Sequence, residues 1–317
     1  MLRAILSCRF WVNKSPIQAY IHVFIRCVSP QIVITFIDNN VSFYSISNRF
    51  PELRTIFLQN GTRSKRGDIF GVLVKSASYH VDYMLVHGSA IGRYYRKFIS
   101  GEVIVTGSLK NNKCEKSSDA TDGLILFISA YNPIYKAAVK VLCFLNKWCA
   151  QNDKRLQICS HHFEDDGTEK GFYAKYLDGC IWEIMPKSDN YSSYNLVDAA
   201  EIVVSLDSTL GYEAFGRGKK TAIFACRDDF QNMPNIGDLK FGWPADLSNN
   251  GPFWTNDQDE TQFQRVMDYL NTVSDVDLEQ EYQSYATELM EFDPGNTRLI
   301  ALLDQILSKS KSQPHAN

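Results

Sequence analysis

Glu201-Ile202-Val203-Val204-Ser205-Leu206-Asp207-Ser208-Thr209-Leu210-Gly211-Tyr212-Glu213-Ala214 is the stretch from which the fold is read. A short, continuous apolar run rich in β-branched residues has the composition of a strand buried on both faces. Asp-Ser-Thr follows at once, and these are helix N-capping residues. Strand, cap and helix in immediate succession are the junction of a doubly wound α/β domain. Such a junction points the free N–H groups and positive end of the helix at the carboxyl edge of the sheet. It is a ready site for a phosphate or diphosphate, with the Ser208 and Thr209 hydroxyls as added donors. Glu213, one turn on, is placed to accept hydrogen bonds from a ribose diol. The bland alternative is an ordinary helix cap.

The same rhythm runs outward in both directions. Toward the C-terminus, Thr221–Phe224 reads as a strand, and helical periods recur near 260–271, 277–290 and 296–308. Upstream, Leu124–Ile128 and Leu156–Cys159 read as strands, with helices over Ile134–Ala150 and Tyr194–Ala200. Further upstream a second set of strands appears: Ile32–Ile37, Thr55–Leu58, Tyr83–Val86 and Val103–Val105. Helices are expected over about 17–28, 41–49 and 89–99. Thr106–Gly123 is polar and rich in Ser, Asn and Gly, and reads as a linker. The expectation is an α/β chain of two doubly wound domains with a cleft between them and helices at the C-terminal end. The boundaries are 1–106, a linker over 107–123, and 124–317.

Composition narrows the class. The 317 residues carry 44% apolar and 22% charged side chains, with a net charge of −3, which argues against a polyanionic partner such as nucleic acid. Thr62–Lys113 holds nine basic against three acidic residues, and Asp246–Asp293 holds one against twelve. This asymmetry fits an anionic substrate at the first half. The eight cysteines form no C-x-x-C pair and several sit in apolar runs, as buried thiols of a reducing compartment do. No run of 18 apolar residues occurs, and the first residues read as part of the fold rather than as a signal peptide. The expected location is cytoplasmic.

Three strand ends in the first half carry polar groups that should converge on one edge. Asp38 or His87 can serve as a base for an acceptor hydroxyl. Asn60, Arg63 and the nearby Lys65 and Arg66 can hold an acidic acceptor or phosphate oxygens. His161, His162, Glu164, Asp165 and Asp166 lack metal-ligand spacing and read as a solvated loop, so neither a metal nor a cofactor is expected. Phe241–Pro244 and Gly251–Asn256 read as aromatic loops flanking a binding site, or as a packed aromatic corner.

The series ITFIDNN, LQNGTR, DYMLVHGSAIGRYY, VTGSLKNN, VVSLDSTLGYEAFGRGKKTAIF, FGWP, GPFWTN and DPGNT resembles a family of bacterial surface-carbohydrate biosynthesis transferases, over about Pro30 to Leu303. The resemblance implies a GT-B-like glycosyltransferase of two Rossmann-like domains, working without a bound metal. The implied partners are a nucleotide-sugar donor, CMP-linked among the candidates, and a glycan or lipid-linked glycan acceptor, with peripheral association at the inner face of a membrane. The Asp-Ser-Thr-Leu-Gly-Tyr-Glu-Ala stretch is similar to the donor-site helix start of Kdo and sialic-acid transferases. That likeness assigns Ser208, Thr209 and Glu213 to the donor. Only about thirty residues precede Ile32, so the first domain reads as abbreviated. The alternatives are a CDP-polyol phosphotransferase on the same scaffold and a non-catalytic nucleotide-sugar-binding homologue.

Overall fold

The computed structural model describes residues 16–65, 68–75, 78–117, 120–131, 136–161, 167–226 and 240–311. The first unit opens with helix α1 (Pro16–Val28). It continues through β1 (Ile32–Thr35), β2 (Arg54–Leu58), β3 (Tyr79–Val86), α2 (Ser89–Tyr95) and β4 (Ile99–Val105). The four strands are parallel, in the order β1-β2-β3-β4. Period-2 alternation splits their side chains between two cores. Phe57, Met84 and Val86 pack with Phe43, Phe70 and Tyr95 on one face. Ile56, Leu58 and Leu85 face the other way.

The chain then forms the short helix α3 (Leu109–Lys113) and enters the second unit. Its elements are β5 (Leu124–Ile128), α4 (Lys136–Gln151), β6 (Arg155–Cys159), α5 (Thr168–Tyr173), β7 (Trp182–Met185), α6 (Ser192–Ala199), β8 (Ile202–Ser205), α7 (Thr209–Gly216), β9 (Lys220–Phe224), β10 (Asn250–Gly251) and β11 (Trp254–Thr255). The strand order is β10-β11-β9-β8-β5-β6-β7, parallel except for the β10–β11 pair. The chain winds one way from β5 through β6 to β7 and the other way through β8 to β9. The switch point therefore lies between β5 and β8, where open α/β sheets bind their ligands. Every residue of β5 and of β8 is buried, as strands covered on both faces must be. Helices α8 (Glu260–Thr272), α9 (Asp275–Leu289) and α10 (Thr297–Lys311) complete the fold.

Four expectations are corrected. The first strand stops at Thr35, where its Oγ1 accepts the Ile37 N–H at 3.0 Å and turns the chain. As an edge strand paired only with β2, it leaves Phe36 and Ile37 exposed. The helix expected over 41–49 is a single 3-10 turn at Phe43–Ser45. Local bonds there, from the Ser42 N–H to Asn40 Oδ1 and from Ser45 Oγ to the Ser42 carbonyl, compete with helix. The segment 107–123 is not a loose linker in its first half. Asn111 and Asn112 are buried, and the Asn112 amide donates to the Thr106 carbonyl at 2.7 Å and accepts the Asp293 N–H at 3.0 Å. Finally, α10 does not belong with the second unit. Leu302 and Ile306 cover Ile56, Leu58 and Leu85 of the first sheet, so the last helix crosses back.

Candidate functional site

The carboxyl ends of β1, β2 and β3 meet as their polar residues require. Asp38 follows β1 and is fully buried. Arg63, in the loop after β2, donates from Nε to Asp38 Oδ2 at 2.8 Å and from an Nη to Oδ1. The Tyr95 hydroxyl donates to Oδ2 at 2.5 Å, and the Asn60 N–H to Oδ1 at 3.2 Å. Arg63 also donates to the Asn60 side chain, and its other Nη lies 3.6 Å from Asp68. Burial alone would drive the Arg63 guanidinium toward its neutral form. The bonds and charge of Asp38 outweigh that and hold it more firmly protonated than usual. Both Asp38 oxygens are therefore occupied in a site closed to solvent. The structure places Asp38, expected as a candidate base, as the buried counter-ion of Arg63.

His87, at the end of β3, is in a different state. It is 2% exposed. Its N–H donates to Gln59 Oε1 at 2.9 Å, and its carbonyl accepts the Glu291 N–H at 2.8 Å. Nε2 lies 3.1 Å from the Gln59 carbonyl oxygen, an acceptor only, so the proton is assigned to Nε2. Nδ1 is buried without a hydrogen-bond partner. Burial pulls the imidazole pKa down to about 4, with Asp38 opposing and Arg63 adding to the fall. The ring is thus neutral at physiological pH, with a bare lone pair.

In the second unit, α7 begins as its capping residues dictate. Ser208 is extended and its side chain accepts the Leu210 N–H at 3.3 Å. Thr209 reaches across to the first unit, where its Oγ1 accepts the Thr62 N–H at 3.1 Å. Asp207 sits partly buried at the same turn. The two units enclose a narrow pocket of about 20 Å³, lined among others by Gln59, Thr62, Arg63, His87, Tyr212 and Trp243. His87 and Arg63 of the first unit therefore share a cavity with Tyr212 of α7, and Thr62 in its wall is bonded to Thr209 at the helix start.

Glu213 is not at that cavity. Its carboxylate is buried, bonded by the Ser108 hydroxyl and by the Tyr194 hydroxyl at 3.0 Å. Its two partners come from the cap of α3 and from α6. The carboxylate expected to meet a ribose is thus bonded by two hydroxyls of the protein. Burial raises its pKa, with both hydroxyl bonds pulling the other way.

Sequence reasoning missed the parts that hold the site. Gln59 fixes His87 through both its carbonyl and its side chain. Trp243 packs on Tyr94 and Phe70 across the cleft at centroid distances of 4.8 and 5.5 Å, so the 241–244 loop reaches the pocket. Phe253 and Trp254 of the other aromatic loop lie in the core instead. Glu288 of α9 pairs with Arg93 and Ser89. A Cβ on Gly88 would overlap the Glu288 carbonyl, which is why glycine stands where α9 crosses. At the ends of β5 and β6, Ser129 and Ser160 donate to the buried Glu169. The strand-end rule applied to Asp207 would have found both serines.

Lys65 is exposed, and Arg66 lies outside the described residues. Of the histidine-acidic loop, His161 donates its N–H to Glu169, and 162–166 lie outside the described residues. Among the described residues no helix is long and apolar enough to cross a membrane.

Comparison with known proteins fits this geometry. The model of the family Lept_O_ant_chp1, described as "putative O-antigen biosynthesis protein", matches residues 56–307. No curated protein matches. Among solved structures, the Staphylococcus aureus MnaA–UDP complex is similar over 94% of this chain and 80% of its own, at 13% identity and a TM-score of 0.53. A glycosyltransferase from Rickettsia africae is similar over 93% and 83%, at 12% identity and a TM-score of 0.51. Sucrose-phosphate synthase from Thermosynechococcus elongatus covers 93% and 78%, at 12% and 0.51. At these identities the likeness establishes the two-domain GT-B-like fold.

Proposed function

The chain belongs to this O-antigen biosynthesis family, and on that premise we propose that it is a glycosyltransferase. It moves a sugar from a nucleotide-linked donor to a surface-polysaccharide or lipopolysaccharide acceptor in the cleft between its two sheets. The observation that carries this reading is His87: a neutral imidazole with an unpartnered Nδ1, lining a pocket shared by both units beside the start of α7.

In this reading the donor phosphate sits on the N-terminus of α7. The first N–H groups and the helix dipole, roughly half an elementary charge, stabilise the leaving phosphate as charge develops. Ser208 and Thr209 add hydroxyl donors, the phosphate replacing Thr62 as the partner of Thr209. Asp207 supplies a carboxylate at this turn for a ribose or sugar hydroxyl. His87 Nδ1 takes the proton of the acceptor hydroxyl as its oxygen bonds to the anomeric carbon and the nucleotide leaves. Arg63, fixed by Asp38 and Asn60, lines the acceptor side as a held guanidinium with N–H donors. We read the acceptor as a lipid-linked glycan, so that the reaction runs at the cytoplasmic face of a membrane.

The test is a thermal-shift screen against CMP, CDP, UDP, GDP and their sugar conjugates. A ligand at a hundred times its Kd stabilises the native state by about 2.7 kcal/mol. One nucleotide class should raise the midpoint clearly, and the Ser208→Ala, Thr209→Ala double variant should lose that shift. A double variant that keeps the full shift removes the phosphate site from the proposal.

A further inference from the structure

The carboxyl ends of the second sheet face the cleft, and its opposite edge holds a pocket of its own. The walls come from the amino ends of β8 and β9, the segment before β5, the C-terminal end of α7 and one face of α9. The volume is about 700 Å³, inside the usual range of small-molecule sites, roughly 300–1,000 Å³. Helix α7 runs from one site to the other: Ser208 caps it at the cleft, and Gly216 ends it at this pocket. The last turn of α7 is closed by the Gly218 and Lys219 N–H groups, which donate to the Phe215 and Ala214 carbonyls at 2.8 and 3.1 Å. The Tyr282 hydroxyl is spent on the Thr221 N–H and the Lys219 carbonyl, so its ring joins Phe215 and Ala286 as an apolar wall.

The charges around this pocket are unevenly spent. Arg217 is buried and paired with Asp198, through Nε at 3.0 Å and an Nη at 2.5 Å. Lys220 donates to the Val273 carbonyl and faces Asp275 at 3.8 Å. Glu201 is held by Lys154 and by the Gly123 N–H. Asp122, Asp275 and Glu279 are exposed, where water and salt screen them. Two ammonium groups remain. Lys219 Nζ donates to the Asp198 carbonyl at 2.8 Å. Lys116 Nζ lies 4.7 Å from the centre of the Phe292 ring, which the Arg217 guanidinium also meets at 5.3 Å. Neither lysine makes an ion pair among the described residues. Loss of water around the head groups lowers both pKa values, with the Arg217 charge adding to the fall and Asp198 opposing it. Positive charges that repel one another and lack counter-ions are stabilised by a bound anion.

We infer that this pocket binds a phosphorylated small molecule, its phosphate held by the Lys116 and Lys219 ammonium groups and its organic part lying against Phe215, Tyr282 and Ala286. A phosphorylated hydroxyl carries about −1.5 to −2 charges at neutral pH. That balances two ammonium groups, where a carboxylate balances one. The pocket is far larger than a bare phosphate, so an organic part belongs to the ligand. The inference is independent of the transferase reading, because the donor phosphate of that reading sits at the other end of α7.

The experiment is isothermal titration calorimetry of the full chain with glucose 6-phosphate, inorganic phosphate and glucose at constant ionic strength. Glucose 6-phosphate should bind more tightly than inorganic phosphate, and glucose should give no heat of binding. The Lys116→Gln, Lys219→Gln variant should bind glucose 6-phosphate about tenfold or more weakly, as the loss of a charge-assisted hydrogen bond requires. Lys116→Glu changes one exposed side chain. It should keep the wild-type melting temperature and still weaken binding, whereas Lys116→Arg should retain it. The Ser208→Ala, Thr209→Ala variant should bind as the wild type does. No binding of either phosphate overturns the inference, as does unchanged affinity in the lysine variants. Equal affinity for the two phosphates overturns the organic part of the ligand. Binding that survives the lysine changes and is lost with Ser208→Ala, Thr209→Ala assigns the phosphate to the cleft; it overturns this inference and supports the transferase reading.

Discussion

Two carboxylates, Asp38 behind the first sheet and Glu213 behind the second, are buried to a similar degree and held in opposite ways. Asp38 has a full counter-charge in Arg63 and two further donors. Glu213 is bonded by the neutral hydroxyls of Ser108 and Tyr194, with Lys110 and Arg217 acting on it through charge alone. The first is a charged pair that must stay paired. The second is a carboxyl group that burial pushes toward its protonated form. Neither has the bare lone pair of His87, whose Nδ1 is buried without a hydrogen-bond partner. The carboxylates nearest the cleft are thus held by structure, and the proton-transfer role we propose goes to a neutral ring.

The largest effect should come from His87. Replacing it with Gln should lower transfer by about 10²–10⁴-fold, the usual range for a general base, with donor affinity unchanged. Kinetics under donor saturation, paired with nucleotide binding, checks this. Next, Asp38→Ala leaves the Arg63 guanidinium buried without its counter-ion, and chemical denaturation should show a loss of about 3–5 kcal/mol. Asp38→Leu combined with Arg63→Met should recover most of it. An Asp38→Asn protein that folds with wild-type stability but no turnover would restore Asp38 as the base.

The comparison is sharpened by pH. Burial holds the folded His87 imidazole at about 4, against 6.5 for a free one, so the unfolded chain takes up a proton first as pH falls. This contribution is fully present above 6.5 and is lost between 6.5 and 4, to a total of about 3 kcal/mol. Denaturation followed over that window should show the slope in the wild type and not in His87→Gln. Glu213 runs the other way. Its raised pKa makes its contribution complete below the ordinary carboxylate value and lost as pH rises through the folded one. Glu213→Gln keeps the acceptor and removes the charge. Its stability at neutral pH should stay within about 1 kcal/mol of wild type or exceed it, and Glu213→Ala should fall below both.

The fold was readable because apolar runs and caps are local. Ile202–Ser205 followed by Ser208 announces strand and helix wherever it stands, and the helical periods in the last third end within a few residues of α8, α9 and α10. What a helix packs on is not local. Nothing in the spacing of Leu299, Leu302 and Ile306 says that they cover the first sheet. The site follows the same division. The strand-end rule brings Asp38, Asn60, Arg63 and His87 to one edge. It does not say that Arg63 consumes Asp38, because that pairing joins side chains 25 positions apart. Nor does it say that Ser108, 105 positions away, and Tyr194 bond the Glu213 carboxylate. That Gln59 sets the His87 tautomer is equally beyond it, because that bond joins residues 28 positions apart.

The most direct measurement is transfer of a labelled sugar, from the nucleotide donor named by the thermal-shift screen, by wild type and His87→Gln across pH 4–8. The account predicts that wild-type turnover falls as pH drops toward the His87 pKa near 4, and that His87→Gln binds the same donor but turns over at least a hundredfold more slowly. A His87→Gln protein that transfers sugar at the wild-type rate would contradict it.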